Sequence, residues 1–254
     1  MLQILYQDDD CVAVNKPAGM LVHRSWLAKH ETQFVMQGLR DRLGQHVFPV
    51  HRLDRPTSGV LLFALSSIAA RQLSEQFANH TVSKQYLAVV RGWVCHKVNG
   101  VCDRGSPMTG RIDYALKPRL DKIADKFANK DKPAETAITD FSCMATAELP
   151  FVVCERYATS RYSLIKLVPH TGRKHQLRRH MTHLFHPIIG DTTHGDTAQN
   201  KAVLAHTGVG RLLLHASQLD FNHLQTGERI QVIAPLDDDF ARVMQAFGWG
   251  ECLG

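Results

Sequence analysis

Apolar residues in this chain gather in short runs, and the longest run of aliphatic and aromatic residues, Val60 to Leu65, has six members. Six residues make a strand, whereas a bilayer-spanning helix needs about 20. Leu2–Tyr6 and Cys11–Val14 flank Asp8-Asp9-Asp10 and predict a hairpin. Further strand signals stand at Tyr86–Val94, Ala137–Met144, Ser163–Val168, Leu212–Leu214 and Ile230–Ile233. Helix signals are fewer. Ser66 and Ser67 offer an N-cap for a helix to about Asn79, with Ile68, Leu73 and Phe77 as its apolar positions. The Asp237-Asp238-Asp239 cluster opens a final helix that packs Phe240, Val243, Met244 and Phe247. Strands outnumber helices and do not alternate with them strictly. The prediction is an α+β fold around a mixed, mostly antiparallel sheet with flanking helices and loops.

The 254 residues suffice for one domain spanning 1–254, and no internal repeat divides them. Residues 99–135 are rich in Gly, Pro and mixed charge, and predict an irregular excursion within that domain. Thirty Lys and Arg against 24 Asp and Glu give a net charge of +6, a modest lean toward a polyanionic partner. The six cysteines, at 11, 95, 102, 143, 154 and 252, form no C-x-x-C pair and predict reduced thiols rather than a disulfide framework or a cysteine zinc site. The N-terminus reaches three aspartates within ten residues and shows no leader pattern, so a soluble, cytoplasmic protein is expected.

Two cationic stretches carry the chemistry. In His51-Arg52-Leu53-Asp54-Arg55-Pro56-Thr57-Ser58-Gly59, one carboxylate stands among two arginines and a histidine. Fixed cations hold such a carboxylate ionised, which suits either a structural ion pair or a nucleophile. The second stretch, from His170 to Met181, predicts a helix over about 172–185, capped by Thr171, with Leu177, Met181 and Leu184 inward. Arg173 falls about 40° from Leu177 on the helical wheel, so it is expected inside, in need of an anion such as Asp54. His175, Arg178, Arg179 and Thr182 fall outside and suit phosphate contacts. His180, His183, His186 and His194, with Asp191 and Asp196, invite a metal reading. The third histidine cannot share a helix face with the first, and the neighbouring arginines repel a cation, so no metal is expected.

Taken together these segments resemble the RluA-type pseudouridine synthases. The resemblance rests on His51–Gly59 followed by an apolar strand, on Lys16-Pro17-Ala18-Gly19 with Val22-His23, on Lys84-Gln85-Tyr86-Leu87-Ala88-Val89, on Thr171–His180 followed by His186-Pro187-Ile188-Ile189-Gly190-Asp191, and on Leu214-His215-Ala216. These motifs stand in family order between about residues 4 and 234. Two departures are visible: the motifs begin at once, with no room for the S4-type RNA-binding domain of many relatives, and Ala115 stands where the family usually has proline.

The resemblance implies the pseudouridine synthase catalytic fold and an isomerase that turns uridine into pseudouridine without cofactor or metal. It implies Asp54, Tyr86 and Arg173 as catalytic residues. Asp54 would attack ribose C1′ or uracil C6, Tyr86 would stack the base or act as acid or base, and Arg173 would keep Asp54 charged. Arg52, Arg55, Lys174, Arg178 and Arg179 are the expected RNA contacts, with Arg52 filling the stack that a flipped uridine leaves. His51 would support the loop, and Thr57 and Ser58 tie the turn. Residues 117–132 and the run Gly190–Asp196 look most like members that modify uridine 65 in the T-stem region of tRNA. The expected partner is therefore tRNA, with no membrane and a monomer as the working state. Ribosomal RNA as substrate, a non-catalytic RNA-binding module and a metal-dependent phosphoesterase remain the competing readings.

Overall fold

The computed structural model describes residues 2–24, 31–98, 101–103, 108–118 and 132–253. Through them run β1 (Gln3–Gln7), β2 (Cys11–Lys16), α1 (Val35–Leu43), β3 (Phe48–Pro49), β4 (Ser58–Ala64), α2 (Ser67–Ala78), β5 (Ser83–Arg91), β6 (His96–Val98), β7 (Val101–Asp103), β8 (Thr109–Asp113), β9 (Ile138–Leu149), β10 (Ser160–Pro169), α3 (Gln176–His183), α4 (Thr197–Thr207), β11 (Leu214–Asn222), β12 (Arg229–Ile233) and α5 (Asp238–Ala246). The main sheet has the order β1-β2-β4-β11-β5-β10-β9-β8, with β12 beside β11 and β3 beside β4. Among the described residues β4–β11 is its single parallel pairing. The fold is α+β with a mixed, mostly antiparallel sheet, as the apolar runs predict.

Strand periodicity explains how helices cover this sheet. Every residue of β4 is buried. Val60 and Leu62 join Leu73 of α2, while Leu61 and Phe63 join Val35 and Leu39 of α1. In β5, Val89 packs with Phe240 and Val243 of α5, and Ala88 and Val90 pack with Leu177 and Met181 of α3. Successive side chains point to opposite faces, so an unbroken apolar run is what a strand covered on both sides requires.

The parallel contact is short and depends on a glycine. His215 pairs with Ser58 and Ala216 with Gly59, and no further positions pair. Gly59 has φ +110°, and a Cβ there would lie 2.1 Å from the Ala216 carbonyl oxygen. Only glycine allows both the backbone conformation and the approach. Ser58 Oγ lies 2.9 Å from His215 Nδ1, so the hydroxyl crosses to β11 rather than tying its own turn.

The structure corrects several expectations. α3 starts at Gln176, not 172, because His175 takes a left-handed conformation (φ 56°) that a helix cannot pass through. Thr171 does not cap it directly. Its hydroxyl accepts the Ile138 amide and donates to Gln176 Oε1, which also accepts the Arg173 amide. In the expected excursion, Thr109–Asp113 forms an edge strand on β9, and Leu116 pairs with Glu135. Residues 119–131 lie outside the described residues. Ile68 is 67% exposed, since it sits five residues from Leu73 while Ala69, Leu73 and Phe77 share the i, i+4 row. Cys11 and Cys143 are buried free thiols, but Cys95 is disulfide-bonded, against the expected reduced state. Helices α1 and α4 and most of β11 went unpredicted.

Gly59→Ala is expected to cost on the order of 3–5 kcal/mol, combining the left-handed penalty with a backbone collision. Thermal denaturation checks it: a melting temperature lowered by roughly 10 °C is expected at this chain length.

Candidate active site

The turn that carries Asp54 is fastened from below. Lys16, the last residue of β2, has no exposed surface. Its ammonium donates to the carbonyl oxygens of Pro17 (2.9 Å), Arg55 (2.9 Å) and Thr57 (2.8 Å). All three of its donors are thereby used. Burial draws its pKa down to about 7, and the nearby Asp54 charge opposes that shift. The Thr57 amide donates to the Asp54 carbonyl oxygen, and the Gly19 amide donates to that of Arg55. The Arg55 guanidinium returns a bond to the Gly19 carbonyl and pairs with Glu31. Lys16-Pro17-Ala18-Gly19 and the Asp54 turn are one laced unit.

Arg178 supplies the anion's partner, where Arg173 was expected. The side chain of Arg178 is 4% exposed. Nε and Nη2 donate to the two oxygens of Asp191, at 2.7 and 2.8 Å, and Nη1 donates to Asp54 Oδ2 at 3.1 Å. Asp191 is itself fixed by the amides of Thr193 and His194. Burial works against the Asp191 carboxylate, but these donors hold its pKa below the usual range. Arg178 stands on a flank of α3 that Ile188–Asp191 wraps, which the helical wheel alone does not reveal. Arg173 instead lies at the cavity rim, paired with Glu135 (2.7 Å) and donating to the Thr136 carbonyl. The helix start at Gln176 shifts it off the inward face.

Asp54 Oδ2 also faces His175 Nε2 at 3.9 Å, and His175 Nδ1 lies 3.1 Å from His194 Nε2. Among the described residues no hydrogen bond reaches Oδ1. The carboxylate is therefore held through one oxygen, and Asp54 lines a cavity of about 550 Å3. Tyr86, on β5, lines the same cavity. Burial, then the Asp54 charge, push its phenol well above the usual range, so it stays protonated. His51 Nε2 accepts the Leu62 amide at 3.0 Å, and its ring stacks on Phe77 with centroids 4.8 Å apart. Burial lowers its pKa to about 3, which keeps it neutral and supporting the loop.

Of the residues expected to touch RNA, Arg52 is exposed at the cavity and Arg55 is exposed beside it, though engaged as above. Lys174 is exposed and Arg179 half-buried, on the segment entering α3 and its first turns. Arg178 is no surface contact. The histidines that invited a metal reading serve separate ends. His180 lies against Thr139 Oγ1 and the Tyr114 carbonyl, His183 stacks on Tyr114, and His186 meets the Arg91 carbonyl. Asp191 is committed to Arg178 and Asp196 to Arg91. Among the described residues no cluster of His, Cys, Asp and Glu could hold a metal ion, and no helix is long and apolar enough to cross a membrane.

The chain is similar to known proteins along nearly its whole length. A family model described as RNA pseudouridylate synthase matches residues 10–183. A protein of Pasteurella multocida named tRNA pseudouridine synthase C is 58% identical over 98% of this chain and 97% of its own length. One of the same name from Haemophilus influenzae is 58% identical over 98% and 99%. Among solved structures, human RNA pseudouridylate synthase domain containing 1 superposes with a TM-score of 0.69 at 25% identity, covering 97% of this chain and 88% of that one.

Asp191→Ala would strand a buried guanidinium and is expected to cost about 3–5 kcal/mol. Arg173→Ala breaks only an exposed pair and is expected to cost less than about 1 kcal/mol. Denaturant unfolding of the two variants checks the contrast, and equal losses would contradict the assignment of Arg178 as the buried partner.

Proposed function

The chain belongs to the RNA pseudouridylate synthase family, and we propose that it isomerises uridine to pseudouridine in tRNA, at position 65, with Asp54 as nucleophile. The observation that carries this reading is the half-held carboxylate: Asp54 lines the cavity with Oδ2 fixed by Arg178, and no hydrogen bond from a described residue reaches Oδ1. A nucleophile needs this combination of fixed position, retained charge and a free lone pair. The relatives' names support tRNA, and likeness in Gly190–Asp196 supports uridine 65.

The reaction breaks the C1′–N1 bond and joins C1′ to C5, with the C5 proton leaving and N1 taking up a proton in its place. Every atom is otherwise conserved and no electrons are exchanged, so the balance calls for neither cofactor nor co-substrate. Asp54 attacks ribose C1′ or uracil C6, both routes freeing the base to turn. Tyr86 offers its ring as a stacking surface, and its protonated hydroxyl as a hydrogen-bond donor beside the base. A uridine paired in a stem cannot reach a recessed carboxylate, so it leaves the helix at a cost of a few kcal/mol. Arg52, exposed at the mouth, is placed to fill the vacated stack. The enzyme acts as a monomer in the cytoplasm, where the positive charge aids capture of RNA.

Tritium release from tRNA transcripts carrying 5-tritiated uridine tests the reading, because the C5 label is lost only when the new C–C bond forms. Wild-type protein is expected to release it, and Asp54→Asn to release it at least about a thousandfold more slowly while binding tRNA nearly as well. Appreciable turnover by Asp54→Asn would make Asp54 structural. Release from ribosomal RNA fragments but not tRNA would move the substrate.

A further inference from the structure

Besides its arginines the cavity is lined by one lysine, Lys84, and among the described residues nothing pairs with it. Lys84 stands two residues before Tyr86 on β5. Alternate residues of a strand share a face, so the two side chains line the cavity about 6–7 Å apart along the strand. That separation is comparable with the reach from a base to the phosphate of its own nucleotide. His51 lies within electrostatic reach of Lys84 and supplies no anion. His51 is neutral and spends Nε2 on the Leu62 amide. Among the described residues Asp54 is the one carboxylate lining the cavity, and it is held by Arg178.

The Lys84 ammonium makes no hydrogen bond or ion pair with any described residue. Burial lowers its pKa, and no neighbouring charge offsets the shift. Lys16, fully withdrawn from water, is bonded to three carbonyl oxygens, whereas Lys84 is half-buried and makes no such bond to a described residue. Partly withdrawing a charge from water without a partner carries a cost, and a ligand that brings the counter-charge offsets it. A lysine is suited to this role, since its compact point charge needs no planar match.

We propose that Lys84 forms a phosphate subsite inside the cavity, taking a backbone phosphodiester oxygen next to the uridine presented to Asp54. The inference rests on the uridine-isomerase reading and adds a residue that positions the nucleotide by its backbone rather than its base. Such a contact is sequence-independent. It helps to hold an extruded nucleotide in register while the base turns, because the backbone stays fixed when the glycosidic bond is open.

The test compares wild type, Lys84→Met and Lys84→Arg on 5-tritiated tRNA between 50 and 200 mM KCl, on the order of the range where counterion release is measured. For Lys84→Met, KM is expected to rise about tenfold, with the loss falling on KM rather than kcat, and the slope of log(kcat/KM) against log salt to shrink by about one. Lys84→Arg is expected to recover most of the loss. The melting temperature of Lys84→Met should be nearly unchanged, because the ammonium makes no contact with a described residue that the substitution would remove. Neutral methylphosphonates at the flanking phosphates of a stem-loop substrate should weaken wild type and leave Lys84→Met indifferent at one position. A kcat loss with KM and salt slope unchanged would overturn the subsite in favour of a contact to the base. An unaltered Lys84→Met would overturn it outright while leaving the isomerase reading intact. A wild type that releases no tritium would remove both.

Discussion

Arg178 is shared between two carboxylates, and the geometry of the site follows from that sharing. A guanidinium cannot shed its charge by deprotonation, so once buried it must be met by anions. Asp191 meets it in a bidentate grip, which fixes the plane of the group and leaves Nη1 directed at Asp54. Asp191 in turn is fixed by two backbone amides of the loop after Gly190. The position of the Asp54 carboxylate is therefore set from α3 and the following loop, elements more than 120 residues distant in sequence. Because the third arm reaches only Oδ2, the constraint is compatible with chemistry at Oδ1.

The backbone of Asp54 is constrained separately. Lys16 gathers three carbonyl oxygens beneath the turn, and Gly59 lets the next strand lie against β11 where any side chain would collide. Neither residue faces the cavity chemistry. Together with Arg178 they fix the carboxylate at both ends, and this supplies the pre-organisation that holding a nucleophile near its target demands. His51, lodged neutral against Phe77 and the β4 backbone, adds to the same support.

Much of the fold could be read from the chain because its central strands are buried on both faces. The runs at Val60–Leu65 and Tyr86–Val90 are continuous for that reason, and two-sided burial leaves little room for another reading. Where burial is one-sided or narrow, the signal fades. α4 buries Val203 and Thr207, too thin a stripe to announce a helix, although Asp196 caps it and Gly208 ends it in a left-handed turn. β11 alternates apolar and polar residues after Leu214, so its initial leucines drew attention and its body did not. The motif likeness led to Asp54 and Tyr86, which do line one cavity. The partner of Asp54 was misassigned for a local reason. A left-handed His175 delays the helix by one turn, and a wheel drawn from 172 places Arg173 inside and Arg178 outside. Lys16 and Asp191 gave no sign of their roles, since burial and long-range pairing are properties of the folded chain.

The most direct test of the Asp191–Arg178–Asp54 bridge is a double-mutant cycle on the single-turnover rate of tritium release from tRNA, using Arg178→Lys, Asp191→Asn and the double variant. If Asp191 acts on Asp54 only through Arg178, the double variant is expected to be no slower than the slower single variant, within about threefold. If the two losses multiply, Asp191 and Arg178 act independently, and the bridge does not hold the carboxylate in the way described.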